Sequence, residues 1–172
     1  MRKLLSLAAA FPAVLAAQVP SSPSLGIAEG RCRGGEPSFV ITAAGLKDRG
    51  GTLKVELYPA NDADFLQDDN ILINTGKTFR RAVIDVPASG PVQICIRAPG
   101  AGNWALSLLH DRDANRKFGL SIDGVGFPGN PASLGPSKPK VAFARAVAGN
   151  GPTPITVRML YRRGLFSFAP VK

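Results

Sequence analysis

Residues 52–58 read TLKVELY, and in this stretch Leu53, Val55 and Leu57 alternate with polar or charged residues. Alternation with a period of two is typical of a β-strand that buries one face and exposes the other. The same kind of pattern, bounded by turn residues, predicts seven strands along the chain. They run from Ser38 to Ala43, Thr52 to Tyr58, Thr78 to Val86, Val92 to Arg97, Trp104 to His110, Val141 to Val147 and Ile155 to Tyr161.

Turn-forming residues separate these apolar runs. The chain has 19 glycines and 15 prolines among 172 residues, and they fall between the runs rather than in one low-complexity block. No segment of comparable length has the period of an amphipathic helix. We therefore expect an all-β fold, an antiparallel two-sheet β-sandwich of about seven strands of the immunoglobulin or prealbumin type.

The first residues have the layout of an export signal. Arg2 and Lys3 precede an apolar run from Leu4 to Ala17, which is too short for a membrane-spanning helix and contains a proline. We expect a signal peptide over 1–17, an extended N-terminal segment over 18–37 and a single β-sandwich domain over 38–172. The mature protein is then periplasmic or secreted, with no transmembrane segment after signal cleavage.

The chain has two cysteines, Cys32 and Cys95, and both lie in the part expected to be exported. In an oxidising compartment a disulfide between them is the expected state. On the predicted strand from Val92 to Arg97, Cys95 points to the face opposite to Val92, Ile94 and Ile96. The disulfide should therefore attach the N-terminal segment to the outer face of a sheet.

A loop rich in aspartate follows the fifth predicted strand. Asp111, Asp113 and Asn115 have the spacing of the first three ligands of calcium loops, which bind the ion through hard oxygens. Arg116 occupies the position at which such loops usually have glycine, and Ile122 occupies the position of their last carboxylate ligand. We favour a turn ordered by local hydrogen bonds, with no metal or other cofactor, and leave open a weak calcium site at Asp111, Asp113 and Asn115.

His110, the only histidine, directly precedes this loop. A small-substrate hydrolase using His110 with Asp111 or Asp113 is therefore the alternative to a binding role. A histidine hydrogen-bonded at the rim of the core is the favoured interpretation, because no second histidine, cysteine pair or nucleophile motif accompanies it. Gly124 to Gly129 fits the spacing GxGxxG, but its proline suits neither a strand-to-helix turn nor a nucleotide site.

The positive charge of the chain is concentrated at its end. From Gly124 onwards there are seven basic residues and no acidic side chain. Arg158 and Arg162 share one parity on the last predicted strand, and Arg163 follows them. We expect these three to form a basic surface that meets anionic envelope polymers or a membrane surface. Nucleic acid is not an expected partner, because exposed aromatic residues are not interleaved with these cations.

The region from His110 to Lys140 resembles an exported bacterial family, domain of unknown function 2141. The matching positions are His110-Asp111, Asp113, Asn115, Lys117, Gly126-Phe127, Asn130 and Ser137-Lys138-Pro139. The resemblance extends over roughly Ser38 to Tyr161, and it departs from the family pattern at Arg116 and Gly119. It implies export and a β-sandwich and implies no reaction. Together these features predict a non-enzymatic binding or structural module of the cell envelope.

Overall fold

The computed structural model describes Cys32 and residues 35–171. The predicted signal peptide over 1–17 and most of the segment over 18–37 lie outside the described residues. Within them the chain forms nine strands, one short α-helix and one 3-10 helix. The strands are β1 Ser38–Ala44, β2 Thr52–Pro59, β3 Arg80–Asp85, β4 Val92–Arg97, β5 Gly102–Asp111, β6 Gly124–Gly126, β7 Arg145–Ala148, β8 Pro152–Arg163 and β9 Ser167–Ala169; the helices are α1 Asp69–Asn74 and the 3-10 turn Val141–Phe143.

All the strands belong to one sheet. Its order is β3-β2-β5-β6-β8-β1-β4, while β7 pairs with β5 and β9 pairs with β8. The end strands β3 and β4 lie beside each other, and Arg80 Nη1 donates to the Arg97 carbonyl at 3.1 Å between them. The sheet is therefore a nearly closed barrel.

The all-β prediction is confirmed, but the sheet arrangement differs from an antiparallel two-sheet sandwich. β1 and β8 pair in parallel, which makes the sheet mixed. The 12-residue β8 pairs with β1 over residues 152–158 and with β6 over residues 159–161. Because β8 pairs with strands on both of its sides, β3-β2-β5-β6 and β1-β4 form one continuous sheet rather than two separate stacked sheets.

The interior of the barrel is filled by the inward faces that the alternation predicted. Each main strand contributes side chains of one parity, and almost all of them are fully buried. The largest of these are Phe39, Ile41, Leu53, Val55, Leu57, Ile94, Ile96, Leu106, Leu108, Val157, Met159 and Tyr161. Burial of this set removes the apolar surface that drives the strands together.

A second apolar cluster lies on the outer face of the barrel. Tyr58, Ala105 and Leu160 point outward from β2, β5 and β8, and connecting segments cover them with side chains such as Phe65 and Phe127. One predicted strand, from Val141 to Val147, differs in the structure because its first half packs on this outer cluster. Residues 141–147 begin with a 3-10 turn packed on the cluster, and only Arg145–Ala148 form a strand.

Cys32 and Cys95 form a disulfide, with their Cα atoms 5.8 Å apart, as the sequence predicts. Cys95 is opposite Val40 in the β1–β4 register, is buried, and lies outside the interior cluster. The bond therefore links Cys32 to the outside of the barrel. Among the described residues, no helix is long and apolar enough to cross a membrane.

Candidate functional site

His110 is fully buried at the end of β5, inside the barrel. Its Nε2 lies 2.8 Å from the Gly50 carbonyl, which can only accept, so this nitrogen carries a proton. Its Nδ1 lies 2.6 Å from the Tyr161 hydroxyl, which in turn accepts the Lys47 N–H at 3.0 Å. Both ring nitrogens are thus engaged, and the ring has no solvent-facing edge with which to contact a substrate.

The aspartate loop after β5 is ordered by its own backbone. Asp111 is buried, and its two carboxylate oxygens accept the N–H groups of Asn115 and Arg116 at 3.2 and 2.7 Å. Asp113 accepts the backbone and side-chain N–H groups of Asn115. Asp123, also buried, accepts the N–H of Arg112 and of Gly119. The loop is therefore the hydrogen-bonded turn that the sequence favours.

The same fold brings three carboxylates together. Oxygens of Asp111, Asp113 and Asp123 lie within 4.8 Å of one another. Burial raises the pKa of Asp111, and the neighbouring Asp113 and Asp123 raise it further, against the N–H donors that lower it. The third residue of the predicted calcium spacing, Asn115, accepts the Lys117 N–H at its Oδ1, at 2.7 Å. A cation here would share these carboxylate oxygens with the N–H groups that they already accept.

Two sequence departures from a calcium loop are explained by the backbone. Arg116 has φ +67°, the left-handed conformation that glycine usually supplies at this point of the turn. Ile122 is exposed, and Asp123 one residue later turns inward and bonds the loop. Asp123, which lies one residue after the last ligand position of a calcium loop, therefore closes this loop through its hydrogen bonds.

The expected basic surface on β8 is interrupted. Arg158 and Arg162 share one parity, but Leu160 between them is buried in the outer cluster. Arg158 bonds Asn130, and Arg162 donates to Ser121 Oγ at 2.8 Å and to two carbonyls at the β8–β9 turn. Arg163 is exposed and reaches the Pro170 carbonyl at 3.3 Å. Arg162 and Arg163 thus belong to the β8–β9 turn, and Arg158 belongs to a separate area beside Asn130.

A pocket of about 590 Å³ opens on the outer face of the barrel. Its floor is formed by the outward-facing side chains of β2, β5 and β6, including Leu109 and Val125. Its walls are residues 134–139 and the tips formed by residues 118–120 and 165–168. The lining is mainly apolar, and the pocket lies on the face of β5 opposite to His110.

A small polar group lies in the floor of this pocket. The Tyr58 hydroxyl donates to Glu56 Oε2 at 2.7 Å, and Glu56 Oε1 pairs with Lys54 at 3.1 Å and Arg81 at 2.6 Å. Burial raises the pKa of Glu56, but the two cations and the Tyr58 hydrogen bond outweigh it and hold the pKa below its usual range. Burial and the Glu56 charge raise the pKa of Tyr58. The floor is thus a preformed polar anchor within apolar walls.

Sequence reasoning missed the outer pocket. Its rim residues Phe118, Leu120, Leu165 and Phe166 lie in connecting segments without any period-two pattern. The available signal was the placement of large apolar residues in connecting segments, shortly after the basic pairs Arg116-Lys117 and Arg162-Arg163. Exposure of large apolar side chains to water does not stabilise the fold, so a group of them in connecting segments indicates an interaction surface.

Comparison with known proteins gives one family. A family model described as an uncharacterized protein conserved in bacteria (DUF2141) matches residues 41–156. No curated protein and no solved structure matches the chain. The matched region contains β2 to β7, the aspartate loop and most of the pocket floor.

Proposed function

The chain belongs to the DUF2141 family of bacterial proteins. We propose that it is an exported, non-enzymatic module of the cell envelope that binds a small, largely apolar ligand with one polar end in the outer pocket. The observation that carries the proposal is the pocket itself. A cavity of about 590 Å³ is within the usual size of small-molecule sites, which are mostly apolar with a few polar groups that orient the ligand.

The polar floor defines what kind of ligand fits. Glu56 is compensated by Lys54 and Arg81, so it does not present an unpaired negative charge to the pocket. Lys54 and Lys138 both line the pocket. A neutral or anionic amphipathic molecule, with its apolar part against Leu109 and its polar end near Lys54, suits these walls best.

The sheet separates the pocket from the only histidine. Successive side chains of a strand point to opposite faces, so Leu109 lines the pocket while His110 points into the barrel. The Nε2 of His110 is also 3.9 Å from the nearest Asp48 oxygen, beyond hydrogen-bond distance. A hydrolase using His110 with Asp111 or Asp113 would need this end of the barrel to open, and a binding role needs no such opening.

Export remains part of the proposal. The Arg2-Lys3 start, the apolar run from Leu4 to Ala17 and the Cys32–Cys95 disulfide all suit an oxidising compartment outside the cytoplasm. Mass spectrometry of the protein from periplasmic extract tests this proposal. We expect a mature chain that begins after Ala16 or Ala17, and an intact Met1 in that fraction would contradict it.

Ligand binding is tested by filling the pocket. Val125→Trp places a large ring on the pocket floor, whereas Val83→Trp places the same ring at an exposed position of β3 outside the pocket. With the apolar probe N-phenyl-1-naphthylamine, we expect Val125→Trp to weaken binding by about tenfold or more. Val83→Trp should bind like the wild type. Equal probe binding by the wild type and folded Val125→Trp would contradict a ligand site in this pocket.

A further inference from the structure

We propose that the mouth of the pocket, formed by Phe118, Leu120, Leu165 and Phe166, docks on the surface of a bilayer that contains anionic phospholipid. This inference goes beyond ligand binding in the pocket and does not require the pocket to be filled. It rests on the exposure, grouping and charge surroundings of these four side chains.

The mouth exposes large apolar side chains. Leu165 and Phe166 are 71% and 70% exposed, and Phe118 and Leu120 are 50% and 52% exposed. Single exposed apolar residues are common on soluble proteins, but a group of them around one opening marks an interaction surface. The four side chains come from two loop tips, residues 118–120 and the turn between β8 and β9.

The two tips are held together by Arg162. Its Nη1 donates to Ser121 Oγ at 2.8 Å, while its Nε and Nη2 donate to the carbonyls of Gly164 at 3.0 Å and Leu165 at 3.2 Å. The rings of Phe118 and Phe168, 6.0 Å apart, also link the first tip to β9, directly after the second tip. The mouth is therefore already assembled, and binding to a surface does not need to order it.

Exposed cations flank both tips of the mouth in the sequence. Arg116 and Lys117 directly precede Phe118, Arg163 directly precedes the β8–β9 turn, and all three are exposed. No acidic side chain follows Asp123 in the sequence. An exposed basic residue near an anionic leaflet contributes about 1 kcal/mol to binding. Apolar tips with adjacent cations are complementary to a layer with anionic headgroups above acyl chains.

A bilayer explains more of this surface than an anionic polymer does. A polyanion would bind the cations at Lys117 and Arg163 but would leave Leu165 and Phe166 in water. A bilayer neutralises the same cations and also removes the apolar tips from water, which is favourable in proportion to the area buried. Burial of the tips is therefore what distinguishes the two partners.

The test is cosedimentation of the mature protein with phosphatidylglycerol-containing vesicles and with pure phosphatidylcholine vesicles. We expect binding to the anionic vesicles that decreases with added salt, because exposed charges are screened beyond ~8 Å at physiological ionic strength. Leu165→Ser with Phe166→Ser should weaken it by about tenfold or more. Val147→Ser, at a 65% exposed site on β7, is the matched control and should not weaken it. Unchanged binding by the double variant would overturn the proposal.

Insertion is measured separately with a brominated acyl-chain lipid. The tryptophan introduced by Phe166→Trp should be quenched on anionic vesicles, and the one introduced by Val147→Trp should not be. Absence of quenching, together with equal binding to dextran sulfate and to vesicles, would overturn bilayer docking in favour of a polyanion partner. Val125→Trp should still bind vesicles. This variant therefore distinguishes failure of the docking surface from failure of the ligand pocket.

Discussion

The Tyr161 hydroxyl lies 2.6 Å from His110 Nδ1 inside the barrel, and each group completes the hydrogen bonding of the other. Burial raises the pKa of Tyr161 to about 12, so its hydroxyl keeps its proton at neutral pH and can donate to the ring. The rings also meet edge to face, with centroids 5.9 Å apart. The histidine that looked like a candidate catalytic residue in the sequence is therefore part of the barrel's internal packing.

Tyr161→Phe should destabilise the protein. It leaves His110 Nδ1 and the Lys47 N–H without their shared partner, which costs about 1–3 kcal/mol for buried polar groups. Tyr58→Phe is the matched comparison, and we expect a smaller loss because Glu56 keeps its ion pairs with Lys54 and Arg81. Urea denaturation measures both free energies of unfolding. A loss for Tyr161→Phe no larger than that for Tyr58→Phe would contradict the assignment.

Gly126→Ala should also destabilise the barrel. A Cβ at this position of β6 would lie 2.7 Å from Val157 Cγ1 and 2.9 Å from Met159 Sδ, so the interior would be overpacked at a cost of about 1–3 kcal/mol. Gly135→Ala is the control, since nothing lies within 4 Å of its added Cβ. We expect thermal unfolding to shift for the first variant and not for the second. Equal shifts would contradict tight packing of β6 against β8.

The charge of Glu56 should stabilise the fold in a pH-dependent way. Its pKa is lowered in the folded protein, so its contribution is present above the unfolded pKa of about 4.3 and is lost as pH falls through the lower folded value. Glu56→Gln should cost about 1–2 kcal/mol at neutral pH, because Lys54 and Arg81 are partly exposed and solvent screens part of the pair. The difference from the wild type should shrink below about pH 4. A difference that is independent of pH would refute this role.

Calcium should have little effect on the loop that contains Asp111, Asp113 and Asp123. The loop carries Arg112, Arg116 and Lys117 beside its three carboxylates and has Ile122 at the position of the last calcium ligand, so we expect calcium affinity no tighter than about 10⁻⁴ M, as in weak extracellular modules. The thermal midpoint should be the same with EDTA and with calcium. Micromolar binding by calorimetry, abolished by Asp113→Ala, would show that the loop is a metal site.

The buried faces of the main strands could be predicted from the amino-acid sequence alone. In stretches such as Leu53 to Leu57 and Val92 to Ile96 the alternation is a local property, and the structure buries the predicted parity in the barrel. The disulfide partners were also predictable, because only one pairing of two cysteines exists. The turn character of the aspartate loop followed from its side chains, which bond their own neighbouring backbone groups.

Tertiary structure alone decided how the strands close and where the outer pocket lies. The parallel pairing of β1 with β8 joins residues more than a hundred positions apart, and the alternation within each strand is the same whichever neighbour it has. The three-residue strands β6 and β9 are too short to show any period. The pocket mouth brings Phe118 and Phe166 together from two distant loop tips, which Arg162 on β8 links through its hydrogen bond to Ser121. Local pattern fixes which side of a strand is apolar, whereas contacts between distant segments depend on the path of the whole chain.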